Sequence, residues 1–355
     1  MKKLTKVFAL LTAFCCLIGI LAGCAGGGQE NTTLTASGSP AASETASGAE
    51  SAPGPVSADE VRVAFLSGST GLGASKLIVD AKAEEKKTVN RYDIEVIADP
   101  SAVIAGLKQG KYDLAALPVN VAAKLWNMPD VDVQLVALNT LGVLYVLENG
   151  SETVKSVADL SGKTVYTTGE GATPQYILEY LLKKNGLEAG KDVTVVYRAT
   201  ADEVQADATA EGAVVMLPEP KATVVTKAIA TMRYALDVTA EWDKVSTEKL
   251  TQGCVVALKT FASEHKDALD AFLEEYRASV EFVAKADDAA AAAVVEAGII
   301  GKAPIAKIAI PKSNLVCMTG AEMKKTMSAM LSVLFESDPK SIGGKLPGDG
   351  FYYGQ

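Results

Sequence analysis

Gly-Lys-Thr-Val-Tyr-Thr-Thr-Gly-Glu-Gly-Ala-Thr-Pro at residues 162–174, continued by Gln-Tyr-Ile-Leu-Glu-Tyr-Leu-Leu-Lys-Lys-Asn-Gly at 175–186, reads as strand, glycine loop and helix. Lys163 to Thr168 is rich in β-branched and aromatic residues, Gly169 and Gly171 free the backbone, and Thr173 is placed to cap the helix. Pro174 suits the first helical position, where its missing N–H has no intrahelical partner to lose. Lys183 and Lys184 face the negative end of the helix dipole, and Asn185-Gly186 supplies a left-handed stop. A helix start is thereby aimed out of a glycine loop at the carboxyl end of a strand, where open α/β sheets receive small molecules.

The 355 residues, 48% of them hydrophobic, are enough for two cores, so two lobes are expected. Lys2, Lys3 and Lys6 precede an apolar run from Val7 to Leu21, too short to span a bilayer comfortably but right for a signal peptide. Leu21-Ala22-Gly23-Cys24 resembles a bacterial lipobox, which implies cleavage after residue 23, lipidation of Cys24 and a place on the extracytoplasmic face of the cell membrane. Removing residues 1–23 takes away three lysines and no acid, so the formal charge of −9 becomes −12. Such a chain, without basic clusters, lacks the contacts that dominate nucleic-acid binding. Residues 24–59, mostly Gly, Ser, Ala, Thr, Pro and Glu, cannot bury a core and form a tether with a reach on the order of 30 Å. Cys254 and Cys317 remain in the folded part; two separate thiols are expected, although export would permit a bridge.

After the tether, Val61–Leu66 is a strand that runs into the loop Ser67–Ser75 and a helix expected from Ala74 to about Lys87. That loop has neither the Lys-Ser/Thr of a phosphate-binding loop nor the glycine spacing of a dinucleotide fingerprint. Strands are expected at 92–98, 112–117, 133–138 and 142–147, and helices at 100–109 and from 120 through Trp126. Asn139-Thr140-Leu141 separates the last two strands, and Glu148–Ser151 is the first candidate crossing between lobes. In the second lobe Thr200-Ala201-Asp202-Glu203 is a capping box, Ala213–Leu217 a strand and Lys221 the start of a helix. Leu117-Pro118 and Leu217-Pro218 occupy equivalent places, the mark of two related lobes. Gln252–Leu258 is the strand of the return crossing, Ser263 opens a long amphipathic helix, and Thr319-Gly320-Ala321-Glu322 caps another. The domains are therefore expected at 60–147 plus 253–355 and at 148–252.

Lipobox, tether and two-crossing α/β body, with Asp159-Leu160-Ser161-Gly162-Lys163-Thr164-Val165 opening lobe two and Val215-Met216-Leu217-Pro218-Glu219-Pro220 following within it, resemble the nitrate/sulfonate/taurine and thiamine-precursor group of ABC-transporter substrate-binding lipoproteins. The resemblance implies a type II periplasmic-binding-protein fold, an ABC permease and ATPase as partners, and a ligand of the sulfonate, nitrate, taurine or aminopyrimidine type held between closing lobes by a monomer. Ligand contacts are expected from Ser69, Thr70, Gly71, Leu72, Gly73, Asn120, Thr140, Gly169, Gly171, Thr173 and Glu219. The candidate loops carry no Lys or Arg but do carry Glu170 and Glu219, which leaves a neutral, amine-bearing or zwitterionic ligand as open as an anion. Glu170 can also be read as a solvated loop acid, and Glu219 as a capping or hinge acid.

Catalysis, a lipid-anchored sensor and a surface adhesin are the alternatives. The one histidine, His265, lies at the exposed start of a helix, and the sequence has no metal-spaced His/Cys cluster and no Gly-x-Ser-x-Gly elbow. A binding protein without catalytic residues, metal or cofactor is the expectation.

Overall fold

In a computed structural model, residues 60–85 and 87–354 are described. The leader at 1–23, Cys24 and the tether to residue 59 lie outside them. In chain order, β1 (Glu60–Leu66) leads through the single turn α1 (Ser69–Leu72) into α2 (Ser75–Ala81), followed by β2 (Arg91–Ile97), α3 (Pro100–Lys108), β3 (Leu114–Pro118), α4 (Val119–Trp126), β4 (Val133–Leu141) and β5 (Leu144–Asn149). Next come β6 (Thr164–Thr167), α5 (Thr173–Lys184), β7 (Thr194–Tyr197), α6 (Ala201–Asp207), β8 (Val214–Pro218), α7 (Lys221–Ala228), β9 (Met232–Asp237) and α8 (Val238–Asp243). The chain finishes with β10 (Thr251–Leu258), α9 (Lys259–Glu264), α10 (Lys266–Ala284), α11 (Asp288–Glu296), α12 (Ala303–Ala309), β11 (Leu315–Met318) and α13 (Gly320–Ser337).

These strands form two sheets, ordered β11-β4-β10-β3-β1-β2 and β7-β6-β8-β5-β9. In each, a parallel trio meets one antiparallel strand: β10, which returns after the second sheet is complete, on β3, and β5, the first strand after the crossing, on β8. Pro118 pairs with Gly253 and Pro218 with Leu144, so the two Leu-Pro pairs stand at the same place in the two lobes. β3 and β5 are apolar almost throughout and buried on both faces, as strands in the middle of a covered sheet must be. One apolar core runs from the first sheet, with Leu117 and Leu138, to the second, with Val146, Val165 and Met216. The other faces pack separately, the first sheet under α2 and α10 through Ile78 and Phe272, the second under α6 and α7 through Val204 and Val225.

Several boundaries differ from the sequence reading. The first crossing is at Gly142-Val143 and not at Glu148–Ser151, because β5 hydrogen-bonds to β8 and β9 within the second sheet. Asn139-Thr140-Leu141 is no loop but the end of β4, paired with β10 and β11. The return strand starts at Thr251, two residues before the expected limit at 253. The helix expected over 74–87 is the short α2, which stops at Ala81, beyond which the run of charged residues has no apolar face to bury, and the loop before it holds the extra turn α1. α10 begins after His265, since Ser263 still belongs to α9 and donates to the Thr260 carbonyl. Thr200 does cap α6, accepting from the Glu203 N–H, whereas the Thr319 hydroxyl accepts from Arg277 at 3.3 Å and caps nothing. Cys254 and Cys317 are separate thiols.

Glu148, near the end of β5, is fully buried. It accepts from Ser151 Oγ, the Thr153 and Val154 N–H groups, Thr153 Oγ1 and the Arg233 guanidinium on β9. Burial alone would raise its pKa, but these donors outweigh it and hold the carboxyl down at about 2. The stability it supplies is therefore complete above the ordinary carboxylate range and is lost as pH falls toward about 2. Glu148→Ala is expected to cost about 3 kcal/mol in urea unfolding at neutral pH. Arg233 keeps its bonds to the Ser151 and Val154 carbonyls, which places the loss at the low end for a broken buried pair.

Candidate functional site

The carboxyl ends of β1, β3, β6 and β8 converge on a cleft of about 580 Å3 between the two sheets, with Leu66, Pro118, Thr168 and Pro218 on its wall. Each strand end turns into a helix there. α4 starts after Pro118, α5 after Ala172 and α7 after Pro220, so three helix starts border the cleft as the sequence reading anticipated. The wall sets the hydroxyl residues Ser67, Ser69, Thr70, Thr140 and Thr173 against the apolar Pro100, Val143, Val224, Ile299 and Ile300, and it also holds Glu219, Lys221 and Gln252.

Of the residues singled out from sequence, Ser69, Thr70, Thr140, Gly169, Thr173 and Glu219 line this cleft. Ser69 Oγ donates to the Glu219 carbonyl at 2.6 Å, which joins the first loop to the β8–α7 turn across the gap. The loop is fixed from behind: Asn139 Nδ2 donates to the Thr70 carbonyl at 2.9 Å, and Thr140 Oγ1 donates to Asn139 Oδ1 at 3.0 Å. Gly169 and Gly171 have φ of +86° and +69°, which the sequence reading required of this loop.

Gly71, Leu72 and Gly73 face the other way. Leu72 is buried among Val283, Ala290 and Val294, and the Gly73 carbonyl accepts from Ser279 Oγ at 2.7 Å. A Cβ at Gly73 would lie 2.9 Å from Val280 Cγ2, and one at Gly71 would lie 2.4 Å from the Leu66 carbonyl. These glycines allow close packing of the loop on the lobe beneath it, so substitution there would disturb the core.

Thr173 does not cap α5. Ala172 holds the N-cap position without a side-chain bond, which moves the helix start one residue earlier than Pro174 suggested. The Thr173 hydroxyl instead donates at 2.8 Å to Oδ1 of Asn120, a fully buried partner in the other lobe. Asn120 Nδ2 and Lys124 Nζ reach the Gly171 carbonyl at 3.5 and 3.3 Å, so Asn120 and Gly171 belong to a bridge at the rim of the cleft. A second bridge closes the far side, where Tyr145 on β5 donates to the Lys312 carbonyl at 3.0 Å.

The two acids separate. Glu170 is exposed and off the wall. The Glu219 carboxylate is turned away from solvent, accepting from Tyr234 OH at 2.7 Å, Thr223 Oγ1 at 3.0 Å and the Thr223 N–H at 3.1 Å. Burial raises its pKa against the pull of these donors and of nearby Lys312. The carboxylate thus holds the first turn of α7 and is spent on the protein itself. Sequence reasoning missed Gln252, whose Oε1 accepts from the Val143 N–H at 2.7 Å, and the wall residues Ile299, Ile300 and Lys221. Lys221 follows Glu219-Pro220 directly, and that adjacency was the available signal. Among the described residues no cluster of His, Cys, Asp or Glu is arranged to hold a metal ion, and no helix is long and apolar enough to cross a membrane.

The sequence matches the family described as "ABC transporter, phosphonate, periplasmic substrate-binding protein" over residues 85–304, more than half of the chain. No curated protein matches it by sequence. Among solved structures it is similar to an ABC transporter protein from Parabacteroides distasonis, with 22% identity and a TM-score of 0.70 over 82% of this chain and 98% of that one. It is similar also to the periplasmic aliphatic sulphonate binding protein SsuA from Escherichia coli, at 15% identity and TM-score 0.65 over 81% and 96% of the two chains. The periplasmic nitrate-binding protein NrtA from Synechocystis PCC 6803 matches at 12% identity and TM-score 0.57 over 80% and 84%. At these identities the likeness is one of fold: two α/β lobes around a central cleft.

The Thr173–Asn120 bond joins the lobes directly, and its loss leaves a buried amide oxygen without its donor. Thr173→Val is therefore expected to disfavour the closed arrangement by about 1–3 kcal/mol. Fluorescence energy transfer between dyes on the two lobes should report a larger mean separation in the variant; an unchanged separation would show that this bond does not hold the lobes together.

Proposed function

We propose, from the premise that the chain belongs to the phosphonate periplasmic substrate-binding proteins of ABC transporters, that it captures a small organic oxyanion between its lobes and delivers it to a permease–ATPase complex from a lipid anchor at Cys24. Members of this family bind solutes for import and are not enzymes.

The observation that carries the ligand reading is the pairing of hydroxyl groups with helix starts around one cleft. N-terminal helix turns present backbone N–H groups and partial positive charge, and Ser67, Thr70 and Thr168 add hydroxyl groups able to meet oxygens of a tetrahedral or planar acid, while the protons of Ser69, Thr140 and Thr173 are already donated to protein acceptors. The acid that would repel such a ligand, Glu219, has its carboxylate bound to Thr223 and Tyr234. The cleft volume of about 580 Å3 falls in the usual range of about 300–1,000 Å3 for small-molecule sites. A four-atom ion such as nitrate would leave most of it to water. Pro100, Val224, Ile299 and Ile300 offer apolar surface for an organic substituent. An aminopyrimidine finds less here, because no free carboxylate faces the cavity to pair with its amine.

The anchor reading rests on the charged start, apolar run and Leu-Ala-Gly-Cys of residues 2–24, and the monomer reading on a site complete within one chain. The tether at 25–59 would let the binding body move over the membrane while staying near its transporter.

A thermal-shift screen of the body from residue 57 should single out alkylphosphonates or alkanesulfonates over nitrate and aminopyrimidines. A compound at a hundred times its dissociation constant adds about 2.7 kcal/mol, an easily read shift; stabilisation by aminopyrimidines alone would overturn the oxyanion reading. Separately, Cys24→Ala should move the full-length protein from the membrane to the soluble fraction with ligand binding intact, and an unchanged membrane fraction would refute the anchor.

A further inference from the structure

Two residues on the cleft wall carry charge, Glu219 and Lys221, and they differ in how firmly that charge is held. Glu219 is fully buried and its carboxylate is fixed by three donors. Lys221 opens α7, its side chain is about one-fifth exposed, and its ammonium donates to Asp202 Oδ1 at 2.5 Å and to Gln205 Oε1 at 2.7 Å, both on α6. Asp202 itself is 90% exposed. The pair with Lys221 lowers the Asp202 pKa, so the carboxylate stays charged and available at neutral pH.

We propose that Lys221 is the residue that selects for anionic ligands: its ammonium rests on Asp202 and Gln205 and turns to the oxyanion when the ligand enters. The inference rests on the oxyanion reading of the cleft and assigns the cation that reading requires. Energetics favour the exchange. An ion pair with so exposed a partner contributes little in water, because solvent screens it and two flexible side chains must be ordered to make it. A charge-assisted hydrogen bond to an oxyanion inside the cleft is stronger, since fewer waters compete for the same charge. Lysine suits the exchange, with a compact charge on a flexible four-carbon stem. Asp202 and Gln205 keep the ammonium paired between ligands and so set how much of its attraction is offered to an incoming anion.

The test measures affinities of methylphosphonate and ethanesulfonate and of their uncharged counterparts, dimethyl methylphosphonate and ethanesulfonamide, by titration calorimetry at low salt. Lys221→Met should weaken both anions tenfold or more and leave the uncharged compounds within about twofold. Asp202→Asn removes the competing acid and should strengthen the anions about three- to tenfold. Opposite signs for the two variants are the signature. A pair that merely braces α6 against α7 would shift both variants in the same direction and leave the anion-to-neutral ratio unchanged, which would overturn the proposal. Lys221→Arg, which keeps the charge, should retain anion preference, so a folding defect in Lys221→Met cannot imitate the result. If wild type binds neither anion, the oxyanion reading itself fails and this inference falls with it; if wild type binds them and Lys221→Met binds them equally, only the inference falls.

Discussion

The cleft depends on the chain crossing between the sheets at Gly142-Val143 and returning just before Thr251, with the two passages fastened to each other. The Val143 N–H donates to Gln252 Oε1 at 2.7 Å in a buried setting, and Asn314 Nδ2 donates to the Gly142 carbonyl at 2.5 Å. A Cβ on Gly142 would stand 2.0 Å from Thr239 Oγ1 and 2.9 Å from Leu250 Cδ2, so only glycine lets the outgoing strand lie against the returning one. Leaving any of these buried groups unpaired would cost about 1–3 kcal/mol. Because β10 returns to the first sheet only after β5 to β9 have been laid down, the first lobe is built from two separate stretches of chain, whereas the second is continuous. The crossings therefore tie the two lobes to each other, and the cleft lies where the parallel strands of both sheets end.

From that placement the chemistry follows. Parallel strands feed helices whose starts face the gap, and the short loops between them set hydroxyls on a wall that apolar residues complete. Charges close to the gap are committed elsewhere: Glu219 to α7 and β9, Lys221 to α6, Lys124 to the Gly171 carbonyl. On the proposed oxyanion reading, a wall of dipoles with one cation paired to an exposed acid receives a small acid without burying an unpaired charge of its own, which would be expensive. The lobes then meet over the ligand through bonds that belong to the protein, Ser69 to Glu219 and Thr173 to Asn120.

Much of this was legible in the sequence wherever local chemistry decides local structure. The glycine loop at 169–171, the stop at Gly186, the cap at Thr200 and the paired Leu-Pro sites were all readable because turn geometry, capping and strand pattern are written in neighbouring residues. What escaped was set by distant partners. Thr173 has the residue type of a cap, but Asn120, 53 positions away, gives its hydroxyl a buried acceptor. Asn139-Thr140 has the composition of a turn, yet pairing with β10 and β11 keeps it extended. Leu144–Asn149 reads equally well as the last strand of one lobe or the first of the next, and only its hydrogen bonds to β8 and β9 decide. Glycines in the first loop announced close approach correctly but not what approaches: for Gly73 it is Val280 and Tyr276. Ile299, Ile300 and Gln252 reach the cleft from segments with no motif at all.

The decisive measurement is a crystal structure with the tightest-binding compound of the oxyanion series. The acid group should lie within hydrogen-bonding distance of hydroxyls from both lobes, Ser67 or Thr70 on one side and Thr168 on the other, with the organic substituent toward Ile299 and Ile300. An acid group bound outside this cleft, or held by one lobe alone with the other turned away, would contradict it.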